Sequence, residues 1–178
     1  MPDSLSEETS QLLEDYFQYC SADACCSRPP ANPKARLLRR VAGEVLASHQ
    51  DFLRESCSSL EASGAEPGVV LRRVAQQMVE EGGLSWGRVA ALIAFAGALA
   101  KRNSGCPETP RRLAAVLSQY LAQEQRDWLE KNAGWDGFYH FFNKSNALQE
   151  NPNCGTYNAI IAAAGVGLAG LAFLLSVR

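Results

Sequence analysis

The sequence has 178 residues but only two histidines, His49 and His140, and none of its six cysteines stands in a CxxC pair. Structural zinc asks for four nitrogen or sulfur ligands, usually in closely spaced pairs, so no metal centre is expected. Neither GxGxxG nor GxxxxGK(S/T) occurs, which removes the glycine-rich turns that cradle phosphates. A surplus of positive charge is missing too. Lys and Arg number 17 against 19 acids, a net charge of −2. Nucleic-acid affinity rests on neutralising phosphates, so that partner class is not expected. Short basic runs such as Arg39-Arg40 and Arg111-Arg112 read as solvated faces.

Catalytic groupings are equally scarce. A Cys–His dyad needs its atoms within ~3 Å. His49 and Cys57 are separated by about 12 Å along a continuous helix. His140, between aromatic neighbours, reads as a half-buried, hydrogen-bonded histidine. The pairs Glu7-Glu8 and Glu80-Glu81 fall at helix ends or on the surface and read as dipole complement or solvated charge. The chain is therefore not expected to be an enzyme, to act on a small-molecule substrate or to hold a cofactor. The first ten residues lack the basic stretch and apolar run of a secretory signal. Cys20, Cys25, Cys26, Cys57, Cys106 and Cys154 accordingly read as free thiols in a reducing cytosol.

What the sequence does have is helical periodicity. Leu12, Leu13, Tyr16 and Phe17 line one face of a helix over 7–19, with Ser6 as its cap. Residues 21–32 read as a loop. Asn32-Pro33 then restarts a helix whose stripe runs from Leu37 through Val45 and on to Phe52 and Leu53. A Gly/Pro break at 61–68 precedes a helix over 69–81, closed by Gly82-Gly83. Ser85 caps a helix reaching about Asn103, in which Val89 to Ala100 carries no charge. That run is too short for a bilayer and apolar on every side, the mark of a buried central helix. A long amphipathic helix over 111–129 and a short aromatic one over 135–142 complete the body. Alternation of period two, sustained heptads and internal repeats are absent. The expected fold class is an all-α helical bundle around a central apolar helix.

The expected organisation is a cytosolic bundle over 1–144, a polar linker over 145–156 and a C-terminal tail anchor over 157–178. Ala159 to Val177 is uncharged and ends on Arg178. Its 19 residues rise ~28 Å as a helix, close to a ~30 Å bilayer core. The other reading is an apolar helix lying in a groove of the domain itself, which leaves a soluble cytosolic pool.

Two segments carry more than periodicity. Leu84-Ser85-Trp86-Gly87-Arg88 opens the central helix, followed by Phe95-Ala96-Gly97-Ala98-Leu99. Trp128-Leu129 then precedes Gly134-Trp135-Asp136-Gly137-Phe138. In this order and at this distance they resemble homology regions 1 and 2 of the B-cell lymphoma-2 (Bcl-2) family of apoptosis regulators, roughly NWGR…FxGxL and W(I/L)xxxGGWDxF. Glu14-Asp15-Tyr16-Phe17 resembles region 4. There are departures. Ser85 stands for Asn, and both cap helices. Ala96 and Ala133 stand for glycines. Region 3 is degenerate: Leu38 and Ala42 fit, but Gly43 occupies the Asp position and Glu44 follows.

The resemblance implies about eight helices and a surface groove that takes the amphipathic region-3 helix of a pro-apoptotic relative. It makes Val45, His49, Phe52, Val74, Met78, Val79 and Phe95 candidates for the wall, with plain core packing the equal reading for each. Ser85 and Gly87 would lie along the partner helix. Arg88 would pair with the ligand's Asp, an internal salt bridge being the other reading. Trp86, Trp128, Gly134, Trp135 and Phe138 look structural. A cation in a helix's first turn costs about a few tenths of a kcal/mol, so Arg88 calls for an anion. The function implied is an anti-apoptotic regulator at the mitochondrial outer membrane or the endoplasmic reticulum, its body facing the cytosol. A pro-apoptotic pore former and a tail-anchored adaptor with a calcium-handling role stay open. Region 4 and the missing region-3 Asp favour the first.

Overall fold

The central helix is the frame on which everything else rests. In this computed structural model, which describes residues 3–22, 28–80 and 82–147, it is the fifth of eight α-helices. These are α1 (Ser4–Ser21), α2 (Pro33–Ser48), α3 (Gln50–Ala62), α4 (Pro67–Glu80), α5 (Trp86–Arg102), α6 (Thr109–Gln119), α7 (Arg126–Lys131) and α8 (Gly134–Ala147). No strand occurs among the described residues. Thirteen of the 17 residues of α5 are buried. Helices α1, α2, α3, α4 and α6 all pack against it, as an all-round apolar helix requires.

Helix ends follow local chemistry. Asn32 Oδ1 accepts from Ala35 N at 2.8 Å with Pro33 in the first turn, and Ser85 Oγ accepts from Arg88 N at 3.2 Å. These are the caps the sequence announces. Helix α1 begins three residues before the expected start, with Asp3 at the cap position and not Ser6. Thr9 explains the early start in part. It is buried, donates to Leu5 O at 2.6 Å and accepts from Trp135 Nε1 at 2.7 Å, which ties the first turns to α8.

Two expected helices are divided. The stripe from Leu37 to Leu53 turns at His49 (φ −123°, ψ 27°), so that α2 and α3 each lay an apolar face on α5. Neither Gly nor Pro marks that break. The 111–129 segment holds a π-turn over Tyr120–Glu124, where Gln125 N bonds to Tyr120 O, and a bend at Gln125. The Tyr120 hydroxyl donates to Ala75 O of α4 at 3.1 Å, anchoring the wide turn from across the bundle. Helix α8 runs to Ala147, into the segment read as linker.

Helix α1 approaches α5 closely at Gly97. A Cβ there would lie 2.8 Å from Tyr16 Cε1 and 3.1 Å from Cys20 Sγ, so the region-4 ring fills the space left by a missing side chain. Arg39, read as solvated, instead forms a two-pronged ion pair with Asp15 at 2.9 Å and stacks on Tyr19. That pair fastens α2 to α1. The expected tail anchor, most of the linker, and Cys25, Cys26 and Cys154 lie outside the described residues. No helix among the described residues is long and apolar enough to cross a membrane.

Candidate functional site

The turn from α4 into α5 gathers the most distinctive residues. Ser85 is exposed, Gly87 buried and Arg88 half-buried. The Arg88 side chain does not stand free. It folds back across Gly82, and Nη1 donates to Met78 O at 2.8 Å and to Gly83 O at 2.5 Å. Arg88 thus serves the unsatisfied carbonyls at the end of α4, where a cation is favoured. In the free chain backbone carbonyls answer its charge, and no acid bridges it among the described residues; the pairing expected with a ligand's Asp belongs to the bound complex. The other guanidinium nitrogens of Arg88 make no hydrogen bond among the described residues.

Behind this turn the rings of regions 1 and 2 interlock. Trp86 meets Trp128 edge-on with centroids 4.7 Å apart, and Phe138 at 5.6 Å. Trp135 meets Phe138 at 5.5 Å, and Phe138 meets Phe142 at 4.8 Å. Such edge contacts suit the ring quadrupoles. The chain enters α8 through two left-handed residues, Ala133 (φ 61°) and Gly134 (φ 55°). A Cβ on Gly137 would sit 1.7 Å from Asn132 O. Gly137 is therefore required for backbone to meet backbone, a role its place in the motif did not reveal. Beside the rings lies an open cleft of about 660 Å³, bordered by Leu84, Gly87, Trp128, His140 and Phe141. His140 is exposed on this cleft, not half-buried as expected.

The other candidate wall residues divide by burial. Val45 and Phe95 are fully buried, and Val74 and Met78 nearly so, at 4% and 3%. His49, Phe52 and Val79 are half-buried. The first four are core in the free chain. His49 Nε2 is buried and has no hydrogen-bond partner. Helices α3 and α4 both pack on α5, and α4 also packs on α6. A small cavity of 90 Å³ separates them, bordered by Leu60, Val70 and Leu99. Sequence reasoning missed these three, although each continues an apolar stripe already recognised. Burial pushes the Cys20 and Cys57 thiols up to about 11, which keeps them protonated.

The residues of region 3 are turned inward. Leu38 and Ala42 are buried, whereas a Cβ on Gly43 would meet nothing within 4 Å. The helix that a pro-apoptotic member would present is thus packed into its own core through α1, α5 and α8.

Comparison with known proteins agrees with the motifs. The model of the family described as apoptosis regulator proteins, Bcl-2 family, matches residues 38–135. A Gallus gallus protein described as anti-apoptotic protein NR13 is 48% identical over 180 residues, covering all of both chains. Bcl-2-like protein 10 of Homo sapiens is 31% identical over 80% of this chain and 78% of its own. Among solved structures, the zebrafish pro-survival protein NRZ in complex with Bad BH3 is similar at a TM-score of 0.72. It is 35% identical, and the match covers 78% of this chain and 94% of that one.

Proposed function

The chain belongs to the Bcl-2 family of apoptosis regulators, and from that premise we propose that it is a pro-survival member which captures the region-3 (BH3) helix of pro-apoptotic relatives. Capture is stoichiometric and involves no turnover. The observation that carries this reading is the region-1 turn, with Gly87 and Arg88 at the mouth of α5, in a fold shared with a pro-survival protein bound to such a helix. The buried, unpartnered Nε2 of His49 supports it, because an incoming polar group would relieve an unsatisfied atom. Val45, Val74, Met78 and Phe95 become wall only when α3 and α4 part, α3 being held on α5 and α2 and α4 on α5 and α6. Ser85, Phe52 and Val79 complete the proposed contact set. The inward packing of Leu38 and Ala42 speaks against a pro-death ligand.

The second part of the proposal is location. Residues 157–178 anchor the body, cytosolic side out, to the mitochondrial outer membrane or the endoplasmic reticulum. The uncharged run of bilayer length supports this.

A panel of labelled region-3 peptides titrated with the protein tests the capture. At least one peptide is expected to bind between nanomolar and micromolar. No binding below ~100 μM, about −5.5 kcal/mol, would remove the groove. Deleting residues 156–178 is expected to move the protein from carbonate-resistant membranes into the soluble fraction; retention in the membrane would remove the anchor.

A further inference from the structure

At the opposite end of α5, a second opening lies between α2, α3 and the last helical turn. Its volume is 430 Å³, within the ~300–1,000 Å³ of small-ligand sites. The floor is apolar: Leu46, Leu53, Cys57 and Ala98. Burial holds the Cys57 thiol protonated, so the floor is uncharged at neutral pH. The rim is cationic, formed by Arg54, Lys101 and Arg102, and no acid borders the opening. Lys101 and Arg102 also suit the end of α5 as a helix C-terminus. That does not account for Arg54, which arrives from α3. Arg102 is bridged to Glu61 at 2.7 Å. Arg54 and Lys101 are exposed and form no salt bridge among the described residues.

An apolar trough edged by two exposed cations outside any salt bridge among the described residues selects a ligand with one anionic end and one aliphatic body. A nucleotide would waste the floor, and an uncharged lipid would waste the rim. We propose that this cavity binds a single-chain fatty acid, its carboxylate against Arg54 and Lys101 and its chain along Leu46, Leu53, Cys57 and Ala98. None of the residues that line the opening belongs to the proposed peptide contact set, and its cationic rim lies at the other end of α5 from Arg88.

The test is photolabelling of the full chain with a laurate analogue carrying a diazirine near its methyl end, followed by mapping of the labelled peptides. Label is expected on the 46–57 and 98–102 segments. Excess laurate should remove it and excess dodecanol should not. The double variant Arg54→Gln/Lys101→Gln should weaken labelling roughly tenfold with an unchanged thermal midpoint, since both side chains are exposed. A saturating region-3 peptide should leave the label in place. Label confined to other segments, equal competition by dodecanol, full labelling of the double variant, or displacement by the peptide would each overturn the proposal. Loss of peptide capture with labelling intact would sink only the proposed function.

Discussion

The two ends of α5 are built to different standards. At its N-terminal end Trp86 is gripped by Trp128, Phe138 and Trp135, and α8 rests its backbone on Asn132 through Gly137. The 660 Å³ cleft at that end lies outside the ring cluster, beside exposed His140 and Phe141, whereas at its C-terminal end the helix leaves openings of 430 and 90 Å³ between the packed helices, on either side of Cys57. The apolar run between them is nearly uniform in sequence, so the difference comes from the partners. Rings and glycines arrive at one end from far along the chain, as when Trp135 reaches Thr9. Short apolar side chains and exposed cations meet at the other. The tight end fixes the Arg88 turn, and the loose end leaves room for a ligand or for movement of α3.

Gly137→Ala strikes the tight end hardest. Its Cβ would fall 1.7 Å from a backbone oxygen, and no side chain can step aside. The expected cost is more than about 4 kcal/mol, in the range reserved for a named steric failure. Urea denaturation measures it, with near-ultraviolet circular dichroism reporting the tryptophan cluster. A loss under ~1 kcal/mol would mean that α8 is not seated as described.

Arg88→Ala separates binding from folding at the same end. Peptide affinity should fall by ~2–4 kcal/mol, as when one side of a buried charge pair is removed. The bonds to Met78 O and Gly83 O are partly solvated, so stability should fall by only about 1 kcal/mol. Arg88→Lys should recover part of the affinity, because an ammonium lacks the planar fork. Unchanged affinity with a large loss of stability would make Arg88 a cap for α4 and nothing more.

Much of this architecture was legible because its signals are local. The caps at Asn32 and Ser85, the uniform apolar run of α5 and the motifs of regions 1 and 2 each declare themselves within a few residues. The break at His49 was not legible, since no Gly or Pro marks it and both flanking helices pack on α5. The π-turn at Tyr120 depends on a hydroxyl reaching Ala75, 45 residues away. At the site, Arg88 was found by motif, but its carbonyl partners were not, because they belong to the turn's geometry. The cationic opening was invisible for the same reason: Arg54 and Lys101 are unremarkable until α3 is laid beside α5.

Gly97→Ala carries the comparison to the middle of the helix. The new Cβ would meet Tyr16 Cε1 at 2.8 Å, and Tyr16 is 1% exposed with little freedom to retreat. Overpacking of this kind costs ~1–3 kcal/mol. A smaller and opposite effect is expected from Ala133→Gly. Ala133 holds φ at 61°, a left-handed conformation costing about 1–2 kcal/mol for an L-residue. Glycine removes that strain but adds freedom to the unfolded chain. The net gain should be about 0.5–1 kcal/mol, read as a rise in the urea midpoint; a fall would show that entropy outweighs strain in this turn.

Ala98→Leu should have the smallest effect and gives the sharpest contrast, because it stands one residue from Gly97. Gly97 faces α1, where the space is full; Ala98 borders the 430 Å³ opening. Leucine is nearly as good a helix former as alanine. Its added carbons would cover part of the apolar floor, while ordering the longer side chain costs about 0.5–1 kcal/mol. These terms nearly cancel, so stability should stay within ~0.5 kcal/mol of the parent. The same substitution should reduce fatty-acid photolabelling, because it occupies the trough. A destabilisation above ~1.5 kcal/mol would show that the C-terminal end of α5 is packed as tightly as the other, and the contrast between the two ends would fail with it.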